Sequence, residues 1–177
     1  MKARKMIAFA ALAAVSVAAF AAASTLKVSK EVTINASADK VWTQVKNFDG
    51  LNTWHPAVAK DEIVAGKNNE VGAERLLTLK DGGTIKEKLL AYDAKAHSFK
   101  YSILEGVLPV SDYTSTLSVK SAGKDKSTVT WSGWFKRKNT GANPAANEND
   151  ETATKTMESV YQGGLDNLKK LMEAGAK

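Results

Sequence analysis

The sequence predicts an α+β fold: a curved antiparallel sheet of about seven strands around one long C-terminal helix, with two short helices after the first strand. Three observations lead there. From Leu26 onward, apolar and polar residues alternate with period two in successive segments separated by turn-forming clusters, which is strand patterning. Only the last stretch, from "ENDE" on, keeps helical spacing over many turns. Consecutive strands joined by short turns are antiparallel neighbours, and the apolar face they create needs a cover that only the long helix is large enough to supply.

The first strand sets Leu26, Val28, Val32 and Ile34 against Lys27, Ser29, Glu31 and Thr33. Ser37 then caps a short helix over 38–47, with Asp39 in the first turn, where the helix dipole favours an acid. Val41, Trp42, Val45 and Phe48 follow at helical spacing. Asp49 and Gly50 end this helix, and a second helical turn leads into Trp54. Pro56 disfavours a helical backbone at the preceding residue, so His55 marks the exit from that turn. Strands flank the "KDGGT" turn, where a three-residue loop, Asp81–Gly83, pairs Leu79 with Ile85 and Leu77 with Glu87. That loop length keeps both apolar sets on one face. Further strands are expected over 97–105, 111–121 and 126–136, the last turning Val129, Trp131, Gly133 and Phe135 inward. The polar stretch 137–147 reads as a loop. "ENDE" places acids where a helix N-terminus favours them, and Met157, Val160, Tyr161, Gly164, Leu168 and Leu171 form the apolar stripe of the helix that follows.

The residues before Leu26 have a different character. Lys2, Arg4 and Lys5 precede an almost unbroken apolar run from Met6 to Ala23, closed by an A-x-A pattern at Ala21 and Ala23. This is the layout of a secretory signal peptide cleaved near Ala23; an uncleaved anchor is the weaker reading, because the run is mostly alanine. Residues 1–23 are thus expected as the signal and 24–177 as a single domain. Removing the first 23 residues, with their three basic side chains, leaves 154 residues and a net charge near +3. That excess is too small to suggest nucleic acid as a partner, and no second long apolar run suggests a membrane association after cleavage. The chain has no cysteine, which excludes disulfides, thiol catalysis, iron–sulfur clusters and covalent haem attachment. No cofactor is expected. The two histidines, His55 and His97, are far apart in sequence and make a poor metal-ligand set.

The order of elements, over residues 26–174, resembles the START-like, or SRPBCC, superfamily of helix-grip folds, which includes polyketide cyclase/dehydrase-like proteins and lipid carriers. A closer similarity lies in "ADKVWTQVKNFDGLNTWHPAV", "LPVSDYTSTLSV", "STVTWSGWF" and "VYQGGLDNLKKL". Together with the leader, these strings resemble the MxaD-like periplasmic proteins of methanol-oxidising bacteria. The resemblance implies a periplasmic, non-enzymatic accessory protein that supports methanol dehydrogenase and its interaction with its c-type cytochrome electron acceptor. Two other classes stay open. One is a periplasmic carrier of a small apolar ligand held in the helix-grip cavity. The other is a cyclase/dehydrase-type enzyme using His55 with Glu87 or Asp112, although alternation points Asp112 outward.

The cavity that such a fold implies would be lined by Trp54, His55, Arg75, Glu87, Tyr101, Tyr113, Trp131 and Tyr161. Arg75 and Glu87 stand out, because charges are rarely buried without partners. They read as a self-satisfied ion pair or as a polar anchor for a ligand, with the ion pair favoured. His55 has the pKa of a general base, but no nucleophile, acid or metal-ligand spacing accompanies it, so no catalytic residue is assigned. A structural role with the ring bonded to backbone is favoured over ligand or partner contact. Trp134 breaks the pattern of its strand. Strict alternation turns it outward beside Lys136, Arg137 and Lys138, a combination suited to docking an acidic partner; a bulge at Gly133 would turn it inward instead. Val107, Leu108 and Val110 around Pro109 would lid the cavity, touch a partner or fold back on the core.

Overall fold

A computed structural model describes residues 23–174; the expected leader, up to residue 22, lies outside them. The elements run β1 (Leu26–Ile34), α1 (Ala38–Val45), a 3-10 turn (Leu51–Thr53), β2 (Val58–Ala65), β3 (Glu74–Leu79), β4 (Thr84–Asp93), β5 (Ser98–Gly106), β6 (Val110–Gly123), β7 (Lys126–Arg137), a second 3-10 turn (Ala146–Glu148) and α2 (Asp150–Ala174). All seven strands form one antiparallel sheet in the order β1-β7-β6-β5-β4-β3-β2. The chain meanders from β2 to β7, and β1 closes against β7. The sheet grips α2, which lies against β1 and β7, as the patterning predicts.

Each element follows from its residues. Ser37 occupies the N-cap of α1 with extended backbone, yet its side chain makes no capping bond; its carbonyl accepts the Val41 N–H at 3.1 Å. Val41, Trp42 and Val45 give α1 its buried face. On α2 the buried stripe is Ala153, Met157, Tyr161, Gly164, Leu165 and Leu168. Leu165 thus replaces the expected Leu171, which is exposed; in the last turn it is Met172, one residue on, that packs against the core.

The β3–β4 register differs from the expected one by two residues. Leu77 faces Ile85 and Arg75 faces Glu87, so the three-residue loop is Lys80–Gly82, not Asp81–Gly83. Gly82 decides this: its φ of +89° is the left-handed conformation that the third residue of such a loop adopts, and glycine adopts it without steric penalty. Asp81 Oδ1 accepts the Gly83 N–H at 3.0 Å and fixes the turn. A shift of two preserves the faces, so Arg75, Leu77, Ile85 and Glu87 are all buried.

Glycine also sets how closely α2 sits on the sheet. A Cβ on Gly164 would stand 2.6 Å from His55 Cδ2 and 2.9 Å from Trp131 Cζ3, and one on Gly133 would collide with the Tyr161 hydroxyl. Helix and sheet therefore meet through backbone at these two points.

Candidate functional site

The interior between sheet and helix holds three polar systems. The first is a buried ion triad. Arg75 donates through Nε to Glu87 Oε2 at 2.7 Å and approaches the same oxygen through Nη2 at 2.6 Å. Its Nη1 reaches Asp61 Oδ2 at 3.2 Å and the Phe48 carbonyl. The guanidinium lies 4.2 Å from the Phe48 ring centroid, a cation–π contact. Asp61 Oδ2 also accepts the Leu51 N–H at 2.9 Å, whereas its Oδ1 is buried without a partner among the described residues. One guanidinium thus faces two carboxylates. Burial raises both Glu87 and Asp61 above the usual carboxylate range, against the pull of Arg75. Desolvation opposes the charge on Arg75, but Glu87 and Asp61 outweigh it and hold the group protonated.

The second is a hydroxyl chain. Trp131 Nε1 donates to Tyr101 Oη at 2.9 Å, the Tyr101 and Tyr113 hydroxyls lie 3.4 Å apart, and those of Tyr113 and Tyr161 lie 2.6 Å apart. Tyr161 then donates to Ser115 Oγ at 3.1 Å, and Ser115 donates to the Ser132 carbonyl at 2.9 Å. Read in one direction, every proton in this chain has an acceptor. Burial raises all three phenols, Tyr161 to about 12, so they are neutral donors at physiological pH and not bases.

His55 forms the third. Its Nδ1 accepts the Ala57 N–H at 3.2 Å, so the proton belongs on Nε2, which donates to the Val160 carbonyl at 3.0 Å. Burial lowers its pKa. The ring is a neutral strut between the loop after the 3-10 turn and α2, with neither a lone pair nor a proton to offer a substrate. Trp54 is buried beside it, edge-on to Trp131 at 5.5 Å, and its carbonyl accepts Asn167 Nδ2 at 2.8 Å.

These groups border a cavity of about 70 Å³, whose lining includes His55, Leu77, Glu87, Tyr101, Tyr113, Trp131 and Met157. Arg75, Trp54 and Tyr161 lie behind that lining. Ile103, Leu108 and Tyr113 line the cavity and also a groove on the outer surface. The groove exists because β5 and β6 part: they pair from Ser98↔Ser118 to Ser102↔Thr114, after which Ile103–Gly106 pair only with β4. The connection Val107–Pro109 spans the gap. Val107 is exposed, while Leu108 turns in toward the cavity.

The four expected docking residues separate. Trp134 points outward, 51 % exposed, with Lys27 Nζ 4.8 Å from its ring centroid. Lys136 shares its outward face but is paired with Asp112 at 2.9 Å. Lys138 is exposed and donates to the Gly106 carbonyl at 2.8 Å. Arg137 does not belong to this surface. It is 6 % exposed and binds Asp150 at 2.7 Å and the Asn139 and Gly141 carbonyls. The reason is the alternation that turns Trp134 out: one residue beyond Lys136, Arg137 falls on the inward face. Asp112, outward and engaged by Lys136, is likewise no partner for His55. Among the described residues no group of three or more histidine and carboxylate side chains gathers as a metal site.

Sequence reasoning missed Asp61, which completes the triad from β2. Its neighbours Lys60 and Glu62 make the segment look like solvated surface; the one available signal is that alternation sets Asp61 and Ile63 on the opposite face from these two. Ser115 was missed too, since a serine on a strand carries no sign of the chain it terminates.

A sheet wrapped around a long helix over a lined cavity defines a helix-grip domain. The chain belongs to the polyketide cyclase/dehydrase and lipid transport family, whose model matches residues 25–173. Among solved structures it is similar to the protein XoxI from Bacillus cereus, with 27 % identity and a TM-score of 0.74 over 85 % of this chain and 98 % of that one. A protein from Bacillus thuringiensis matches at 28 % identity and 0.73, over 83 % and 98 %. The Zhui aromatase/cyclase from a Streptomyces species shares the fold at 17 % identity and 0.70, over 87 % and 97 %.

Proposed function

We propose that the protein is a non-enzymatic, exported accessory protein of the periplasm that supports methanol dehydrogenase and its transfer of electrons to a c-type cytochrome. The observation that carries this reading is Trp134, a half-exposed tryptophan on an otherwise Ser/Thr/Lys-rich outer face, with Lys27 against its ring. An exposed aromatic backed by a cation is the composition of an interface hot spot. The resemblance of four sequence strings to the MxaD-like proteins supports the identity of the partner, and the basic, alanine-rich leader supports export. The enclosed chemistry supports a non-catalytic role, since His55 is committed through both nitrogens and the phenols are held neutral. Purified protein added to dehydrogenase and cytochrome at low salt should raise the rate of cytochrome reduction, and Trp134→Ala should lose most of that gain while melting within a few degrees of the parent. No rate change at any stoichiometry would overturn the reading.

A second reading, a carrier of a small ligand, is favoured by the cavity of about 70 Å³ and by the lining residues it shares with the β5–β6 groove. Native mass spectrometry of protein taken directly from cells should then show an added mass. Only the bare chain mass, together with no binding by the probes described below, would end it.

A further inference from the structure

The ion triad leaves two carboxylate oxygens without a donor among the described residues, Asp61 Oδ1 and Glu87 Oε1, and only Glu87 belongs to the cavity lining. Both Arg75 contacts to Glu87 go to Oε2, and Oε1 takes no hydrogen bond among the described residues. Glu87 is 4 % exposed, yet it lines the cavity. None of the neighbouring donors is free to serve it. The Trp131 N–H and the tyrosine hydroxyls are used in the chain that ends at the Ser132 carbonyl, and His55 Nε2–H is given to Val160. The charge balance is open in the same place: Arg75 against Asp61 and Glu87 leaves one negative charge uncompensated, and His55 is neutral. The same cavity is lined by the aromatic rings of Tyr101, Tyr113 and Trp131. A carboxylate oxygen lacking a donor, in a cavity it shares with aromatic rings, is complementary to an organic cation.

We infer that the cavity is a binding site for a small alkylammonium ion, whose N–H donates to Glu87 Oε1 and whose alkyl carbons lie against Trp131, Tyr101, Tyr113 and Leu77. This rests on the ligand-carrier reading and supplies its ligand class. Burial raises the Glu87 carboxyl above the usual carboxylate range, so a cationic partner that offsets its charge is favoured there. The volume limits the guest. A cavity of ~150 Å³ admits benzene, so about 70 Å³ fits roughly three non-hydrogen atoms by the same scale. Access runs through the β5–β6 groove, where Leu108 is the side chain between surface and interior.

Ethylammonium and ethanol test this, because they match in shape and differ in charge. Each is titrated into the purified full chain at pH 7, and the Trp131 indole N–H is followed by NMR. The ammonium should saturate with an affinity at least about tenfold above that of the alcohol, the ratio expected for a charge-assisted hydrogen bond inside a protein. Glu87→Gln should bring the two affinities together. Equal or tighter binding of the alcohol by the parent chain overturns the ammonium inference and leaves the carrier reading standing; saturable binding of neither probe overturns both. If Glu87→Gln does not fold, as judged by its melting curve, Val160→Phe fills the cavity from α2 without touching the carboxylates. That variant should abolish ammonium binding, and retained binding would place the cation elsewhere and overturn the inference.

Discussion

Gly163 and Gly164 are adjacent on α2, and the same substitution at each should move stability in different directions. Alanine in place of glycine in a helix interior gains about 0.8–1 kcal/mol, mostly because the unfolded chain has less freedom to lose. At Gly163 an added Cβ meets nothing within 4 Å, so Gly163→Ala should realise that gain in full. At Gly164 the Cβ would stand 2.6 Å from His55 Cδ2 and 2.9 Å from Trp131 Cζ3. Neither ring can yield. His55 is held through both nitrogens, and Trp131 is bonded to Tyr101 and stacked on Tyr161 at 4.7 Å. The helix must therefore lift from the sheet, an overpacking cost of roughly 1–3 kcal/mol that offsets or exceeds the helical gain. The two variants should thus differ by about 1–3 kcal/mol, and in a domain of this size each kcal/mol moves Tm by about 2–4 °C. Thermal melts, with urea titrations to confirm unchanged m-values, should place Gly163→Ala above the parent and several degrees above Gly164→Ala. Equal upward shifts in both variants would refute the close seating of α2 on His55 and Trp131.

Two further outcomes concern the interior polar groups. Arg75→Met strands Asp61 and Glu87 as unpaired buried carboxylates and should destabilise the fold by about 3–5 kcal/mol at pH 7. Both acids are raised in the folded state already and rise further without the guanidinium. Their favourable contribution is complete below the ordinary carboxylate values and is lost as pH rises through the raised ones. The deficit measured by urea unfolding should therefore shrink as pH falls from 7 toward 5, and a deficit that grew on acidification would contradict the triad. Tyr161→Phe breaks the hydroxyl chain between Tyr113 and Ser115 and should lower stability by about 1–3 kcal/mol, the cost of leaving buried polar groups unsatisfied. Unchanged stability in denaturant titration would mean that the chain carries no weight in the fold.

Where the sequence spoke plainly, the reason was a face buried on one side only. Alternation placed β1 and β4 through β7 because each presents an inward and an outward set, and it separated Trp134 from Phe135 correctly. The same rule, carried one step further along β7, would have removed Arg137 from the expected docking surface; a run of basic letters hid its inward position. β2 was harder to locate. Its pairing is irregular at Val58/Lys60 and Ile63/Ala65, and Val58 is its one buried residue, so little marks an inward face. Arg75 and Glu87 were legible as a pair because two charges fell on an apolar face, but Asp61 was not, since nothing local ties β2 to β3 in register. The direction of the hydroxyl chain depends on three strands and α2 meeting at atomic distance, which no single-strand pattern encodes. The expected signal falls on residues outside those described, and the expected partners are other molecules, so neither can be read from the fold.

The glycine contacts of Gly133 and Gly164 also decide which part of the molecule can breathe. With backbone against side chain at both points, α2 has no slack to rise without breaking the His55 strut and the Trp131–Tyr161 stack together. The seam between β5 and β6 has no such clasp, because its ladder ends at Ser102↔Thr114. Openings that expose the interior should therefore begin at the seam and leave the helix seated. In native-state hydrogen exchange, the amides of 103–106 that face the gap would exchange through small local fluctuations, whereas those at the centre of α2 would wait for global unfolding. The helix is then the fixed wall of the interior, and exchange with solvent should start through the sheet.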